Sequence, residues 1–318
     1  MEAKLRQLYR KFVYRWTKKN REQEVGLSVI VISPHMDDET LGCGGTIIKR
    51  RQAGNDVRIV FMTDGSRSHN LISPDELKAL RIKEAIAAGH IMGVEKDKII
   101  FLNFEDGNLK KHHKPAIAKL IEIFRHYQPD EVFIPYHQDI HVDHIATHSI
   151  TLMALNEYGK NVMVYEYPIW FWNHWPWIKK PLPNWKRWKK ILDIARGNIT
   201  SELRLLRYFK YAIKIEDVIN TKRLALDQHK SQVTRLIPDP RWLTLYDASD
   251  GKWLECFFQE YEMFYRYQFS KAKTISYSNI QEDIDFPQDC LTTANPPYFY
   301  SDSIKPSDFP QSERTESI

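Results

Sequence analysis

The run Leu27-Ser28-Val29-Ile30-Val31-Ile32 breaks directly into Ser33-Pro34-His35-Met36-Asp37-Asp38-Glu39, and then into Leu41-Gly42-Cys43-Gly44-Gly45-Thr46-Ile47-Ile48. A short β-branched run of this kind reads as a strand buried on both faces. The small residues that follow read as a helix start able to pack closely on a sheet. A histidine and three carboxylates therefore sit at the carboxyl end of a parallel strand, the edge at which open α/β sheets bind ligands. These side chains suit a divalent metal such as zinc, with a carboxylate left over for proton transfer. Capping of the helix by acidic residues accounts for one carboxylate, but not for three beside a histidine.

The same alternation continues along the chain. Residues 27–32, 57–63, 98–102, 131–135 and 162–165 read as strands, and residues 41–53, 74–92, 114–127 and 143–158 as helices between them. Such alternation predicts an α/β fold, a Rossmann-like and mostly parallel sheet with helices on both faces. No GxGxxG follows the first strand and no Walker A pattern is present, so dinucleotide and P-loop chemistry lose their usual support. Helical periodicity returns over residues 216–232.

A second cluster, His137-Gln138-Asp139-Ile140-His141-Val142-Asp143-His144, comes just after the predicted strand 131–135. Two strand ends of one parallel sheet bring it against His35 and Asp38. Three protein ligands with a fourth position left to water is the usual zinc hydrolase arrangement. His35, Asp38 and one histidine of the second cluster would complete it.

Three stretches differ from this core. Residues 1–24 form a basic segment in which Lys4, Arg6, Arg10, Lys11, Arg15, Lys18, Lys19 and Arg21 alternate with apolar residues at near-helical spacing. It reads either as a helix on an anionic membrane surface or as a solvated helix packed on the domain. Residues 167–190 form an insertion rich in tryptophan and proline, expected as an exposed loop for lipid or sugar contact rather than for nucleic acid. Residues 271–318 turn to Ser, Asp, Pro and Asn and are expected to have no fold of their own. The catalytic domain is thus expected over residues 25–270. No apolar run approaches the ~20 residues that span a bilayer. The three cysteines, Cys43, Cys256 and Cys290, imply no disulfide framework. The N-terminus lacks a signal-peptide pattern, so the expected location is the cytoplasm, with peripheral contact at the inner face of the membrane as an option.

Pro34-His35-Met36-Asp37-Asp38-Glu39 together with His141-Val142-Asp143-His144 resembles the PIG-L/LmbE family of zinc-dependent N-acetylglucosamine deacetylases. Thr63-Asp64-Gly65, Arg81 with Glu84-Ala85, Asn103-Phe104-Glu105-Asp106-Gly107 and the late Lys222…His229-Lys230-Ser231-Gln232 extend the likeness from Val25 to Gln232 in order. Met36 and Val142 stand where the family commonly has proline, and neither position supplies a ligand. The resemblance implies His35, Asp38 and His144 as ligands to Zn2+, and Asp37 as the general base for the attacking water. It implies that His141, oriented by Asp143, stabilises the oxyanion or protonates the leaving amine. Arg81 and Asp106 match family positions that contact substrate, and a structural ion pair is the alternative for each. The implied activity is removal of an N-acetyl group from an amino-sugar glycoconjugate or glycolipid. Hydrolysis of another amide or of a phosphoester, and a non-catalytic lipid- or glycan-binding module, are the alternatives.

Overall fold

The computed structural model describes residues 18–20, 25–174 and 207–270. Among the described residues eight strands form one sheet: β1 (Lys18–Asn20), β2 (Ser28–Ser33), β3 (Asp56–Thr63), β4 (Ile99–Phe104), β5 (Glu131–Pro135), β6 (Val162–Tyr167), β7 (Tyr211–Lys214) and β8 (Tyr261–Phe269). Their order is β1-β7-β8-β6-β5-β2-β3-β4. Only β8 runs against its neighbours, pairing antiparallel with β6 and β7, while all other pairings are parallel. The helices are α1 (Asp38–Gln52), α2 (Pro74–Ile91), α3 (His113–Tyr127), α4 (Val142–Tyr158), α5 (Ile219–Leu226) and α6 (Lys230–Val233).

The two-residue period of the central strands divides the core in two. Val29 and Val31 of β2 face the layer containing Leu41 and Ile47 of α1, Ala85 and Ala88 of α2, and Ala225 and Leu226 of α5. Ile30 and Ile32 face the opposite layer, with Leu120 and Phe124 of α3 and Ile150 and Ala154 of α4. This is why β2 carries no polar alternation. After β2 the chain moves to β3 and β4 on one side, then returns to place β5 on the other. The order reverses between β2 and β5, and the crevice outside their carboxyl ends is the topological switch point where such sheets bind ligands.

Helix α1 is broken at Cys43, whose φ of −145° is not helical. The break frees the Leu41 carbonyl and the Gly45 and Thr46 amides, and a buried ion pair takes them up. Glu262 of β8 accepts from Gly45 N at 2.8 Å, Thr46 N at 2.7 Å and the Thr46 hydroxyl at 2.6 Å. Lys222 of α5 donates to Leu41 O at 2.8 Å, Phe257 O at 2.7 Å and Glu262 at 2.7 Å. Gly42 must be glycine, because a Cβ there would lie 2.3 Å from the Tyr167 ring.

Several sequence expectations are corrected. Lys18–Asn20, inside the segment expected as an amphipathic helix, is a strand paired with β7; the remainder of that segment lies outside the described residues. In the tryptophan-rich stretch, Trp170, Phe171 and Trp172 are buried in the core rather than exposed, with Trp170 stacked on Trp253 at 4.8 Å. Burying so much apolar ring surface outweighs the turn-forming tendency of the nearby prolines. Trp175, Trp177, Trp185 and Trp188, and the tail 271–318, lie outside the described residues. Periodicity over 216–232 resolves into a short 3-10 turn, α5 and α6, interrupted at Asp227–His229.

Replacing Lys222 by Met leaves Glu262 as an uncompensated buried carboxylate. Such a loss costs about 3–5 kcal/mol. Chemical denaturation should show a drop of that size, whereas a change below about 1 kcal/mol would mean that the pair does not support the α1 break.

Candidate metal centre and active-site pocket

The turn between β2 and α1 is held by its own side chains and by its neighbours. The Ser33 hydroxyl donates to His35 O at 2.6 Å and receives Glu39 N at 3.1 Å. Thr63 donates its amide and its hydroxyl to Pro34 O. The Arg81 guanidinium donates to Met36 O at 2.6 Å and to Gly65 O at 3.2 Å. Glu39 is fully buried and accepts from Asp37 N at 2.9 Å and from the Thr40 hydroxyl at 2.7 Å. His229 Nε2 lies 3.1 Å from the same carboxylate. Within this frame Asp37 adopts φ 149°, ψ −28°, a region that a non-glycine residue occupies only when its surroundings over-determine it.

The sequence clusters meet as their strand positions predict. Asp38 Oδ2 lies 3.2 Å from His35 Nδ1 and 3.1 Å from His144 Nε2. His35 Nε2 is 3.2 Å from both Asp106 and Asp143. The ring of His141 is 4.7 Å from that of His35 and 5.1 Å from that of His144. Asp139 Oδ2 lies 3.2 Å from His144 Nδ1, a contact that orients the ring by its far nitrogen.

These residues fit a divalent cation, and His144 shows why. With Nδ1–H on Asp139, its buried Nε2 presents a lone pair to the Asp38 oxygen and makes no directed hydrogen bond. Two acceptors aimed at each other need a cation between them. The surrounding charge favours a positive centre at this place: burial opposes a charged His144, yet Asp38 and Asp139 raise it to about 9, and a metal ion at Nε2 would take over the position that a proton otherwise holds. For Asp38, burial pushes the carboxyl up, but His144 and His35 outweigh it and hold it well below the usual carboxylate range. His35, His141 and His144 also bring ligand atoms within 4.8 Å of one another, as do His35, Asp106 and Asp143.

Asp37 behaves oppositely to its neighbour. Burial raises it, Arg81 opposes, Asp38 and Glu39 add to the rise, and the carboxyl settles at about 7. The Arg81 guanidinium stands 3.5 Å away. His141 is pushed down to about 4 by burial and then by the charges of His35 and His144, so it is neutral at pH 7. Its Nδ1 accepts from Asp143 N at 3.2 Å, which assigns the proton to Nε2.

Two geometries differ from what the sequence suggested. The Asp143 carboxylate does not hold the His141 ring; it accepts from Gly107 N at 2.7 Å and Leu109 N at 3.1 Å and contacts His35. Its side chain is taken up by the backbone amides of residues 107 and 109, so its own backbone amide is left to orient His141. Arg81 is 2% exposed and spends its fork on two carbonyls, while Asp106 accepts from Arg67 N at 3.0 Å besides facing His35. Both still line the cavity.

That cavity has a volume of about 180 Å³ and opens over Asp37, Asp38, His35 and His141. Arg67, Ser68, His69, Asn108 and Gln232 supply polar wall, and Trp170, Leu243, Leu245 and Trp253 supply apolar wall. Sequence reasoning missed His69 and the segment around Trp242. His69 stacks on Trp242 at 4.1 Å, and both reach Ser231 O. Only Ser231-Gln232 carried a signal, through the late motif.

A doubly wound sheet with a His/Asp centre and an adjacent unspent carboxylate at its switch point defines an α/β protein built to hold a divalent ion beside a pocket. Residues 30–155 match the PIG-L family, described as GlcNAc-PI de-N-acetylase. It is similar to the diacetylchitobiose deacetylase of Thermococcus kodakarensis, 26% identical over 224 residues that cover 67% of this chain and 72% of the relative. It is also similar to the 1D-myo-inositol 2-acetamido-2-deoxy-alpha-D-glucopyranoside deacetylase of Corynebacterium diphtheriae, 30% identical over 155 residues covering 40% and 52%. The fold is shared with the N,N'-diacetylchitobiose deacetylase of Pyrococcus horikoshii, with a TM-score of 0.51, 23% identity and coverage of 87% and 96%.

Asp38→Ala removes the atom that both rings face. The tightest divalent equivalent should weaken by at least about 10–100-fold, the range seen for lesser disturbances around metal ligands, in a chelator competition. Unchanged affinity would place the ion elsewhere.

Proposed function

We propose that the chain is a zinc-dependent hydrolase that removes the N-acetyl group of an amino sugar. The observation that carries this reading is the pair of adjacent carboxylates. Asp38 is bound to the His35/His144 centre, and Asp37, which lines the cavity beside it, is raised to about 7. A carboxylate poised near neutral pH and not spent on the metal is suited to take a proton from water. The names of the relatives support the acetamido sugar as the substrate class.

His35, Asp38 and His144 would hold the ion. When bound, it supplies Lewis-acid chemistry, polarising an amide carbonyl and acidifying water. Asp37 takes the proton of the attacking water as the C–O bond forms, and Arg81 and Glu39 keep its backbone in place. His141, neutral and protonated at Nε2, offers a donor towards the developing oxyanion. It does so without adding a positive charge to the centre. When the C–N bond breaks, the proton on Asp37 is available to the leaving amine, so the amide and water give acetate and the free amine. Asp106 and Asp143 hold His35 from its other nitrogen.

The walls of the cavity bear on the substrate. Asn108, Ser68 and Gln232 offer hydrogen bonds to sugar hydroxyls, and Trp170, Trp253, Leu243 and Leu245 offer an apolar face for the aglycone or the ring's C–H surface. This supports a glycoconjugate rather than a free sugar. No helix among the described residues is long and apolar enough to cross a membrane.

The test is acetate release from a panel of N-acetylglucosaminyl compounds with hydrophilic and apolar aglycones, using zinc-loaded and chelated protein. Zinc-dependent release, fastest with an apolar aglycone, is expected. Phosphate release without acetate, or no turnover by metal-loaded protein, would contradict the reading.

A further inference from the structure

A second group of metal-type ligands lies outside the cavity. Val162, Val164 and Glu166 share one face of β6, the face covered by α4. At its carboxyl end that face presents Glu166, which is 2% exposed. His137, from the loop after β5, approaches with Nδ1 at 2.7 Å, and His148 of α4 with Nε2 at 3.0 Å. The Tyr267 hydroxyl at 3.0 Å and the His137 amide at 3.1 Å complete the surroundings of the carboxylate. One ligand atom from each of His137, His148 and Glu166 falls within a 4.8 Å cluster.

We propose that His137, His148 and Glu166 form a second divalent transition-metal site, separate from the His35/Asp38/His144 centre. Two imidazoles and a carboxylate are a complete three-ligand set for a zinc-type ion, with a fourth position for water. The imidazoles are partly exposed, at 26% and 12% of their side chains, while the carboxylate is buried, so there is a solvent side for entry. Tetrahedral ligands about 2.0–2.1 Å from one ion stand roughly 3.3 Å apart. His137 and His148 approach opposite oxygens of the carboxylate, Oε2 and Oε1, and the two contacts open by roughly 0.3–0.6 Å to admit an ion between the three side chains. Tyr267 and the backbone amide already fix the carboxylate's orientation, as the outer partners of metal ligands do. On binding, each imidazole gives up the proton at its liganding nitrogen or moves it to the other ring nitrogen.

The site has a mechanical consequence. His144 and His148 stand one turn apart on α4, and His137 opens the loop that carries Asp139 and His141. An ion here ties that loop to α4 and β6, and so braces the groups that aim His144 and His141 at the first centre.

The test is metal stoichiometry of the full chain, stripped with chelator and titrated with Co2+ and separately with Zn2+. The readouts are bound metal after desalting and the visible Co2+ spectrum. Two equivalents are expected for the unmodified chain. H137A/H148A and, independently, Glu166→Gln should lose one, while H35A/H144A should lose the other and keep this one. Saturation of the unmodified chain at one equivalent that H35A/H144A abolishes would overturn the proposal. So would a second equivalent indifferent to H137A/H148A and Glu166→Gln, the mark of an adventitious ion only. The stoichiometry of the unmodified chain decides the case even if a variant fails to fold.

Discussion

The buried carboxylate of Glu39 is the strut on which the site depends. It receives the amide of Asp37, the hydroxyl of Thr40 and the ring of His229, and so joins the β2–α1 turn to the late segment of the chain. The turn it holds is not one the backbone would choose unaided, since Asp37 has φ 149°. Arg81 on Met36 O and Thr63 on Pro34 O restrain the same few residues from the β3 side. Converging restraints of this kind let two consecutive carboxylates point to different tasks.

The separation of those tasks is electrostatic. Asp38 and Asp37 are both buried, and burial alone would raise both. Asp38 is pulled far down by two imidazoles, whereas Asp37 has one guanidinium set against two neighbouring carboxylates and stays high at about 7. In the proposed reading, one side chain binds a cation and the next accepts a proton, from environments that differ by a few ångströms. The broken α1 works in the same way at longer range. Lys222 and Glu262 take over the hydrogen bonds lost at Cys43, and the first turns of the helix can carry ligands without leaving orphaned amides.

Much of this was legible in the sequence. The β-branched runs gave the five parallel strands from β2 to β6, and motifs at the ends of two of them brought His35, Asp38 and His144 together. What escaped had physical causes. In β8, Glu262, Arg266 and Gln268 interrupt the aromatic residues, so no apolar run marks the strand. Glu262 is buried all the same, because Lys222 answers its charge. The rings of Trp170 and Trp172 looked exposed beside prolines, yet the core had space for them. His69 and Trp242 stack across a long sequence separation, and no local periodicity reports such a pair. The tautomer of His141 depends on one backbone amide, which residue types cannot reveal.

The most direct measurement is turnover and metal content of Asp37→Asn, a substitution that keeps shape and removes the proton acceptor. Metal affinity within a few-fold of the unmodified enzyme, with turnover reduced by about 10²–10⁴-fold, is the result expected of a lost general base. Turnover within about tenfold of the unmodified enzyme, with metal bound, would contradict the central role given to Asp37 and assign proton transfer to another group.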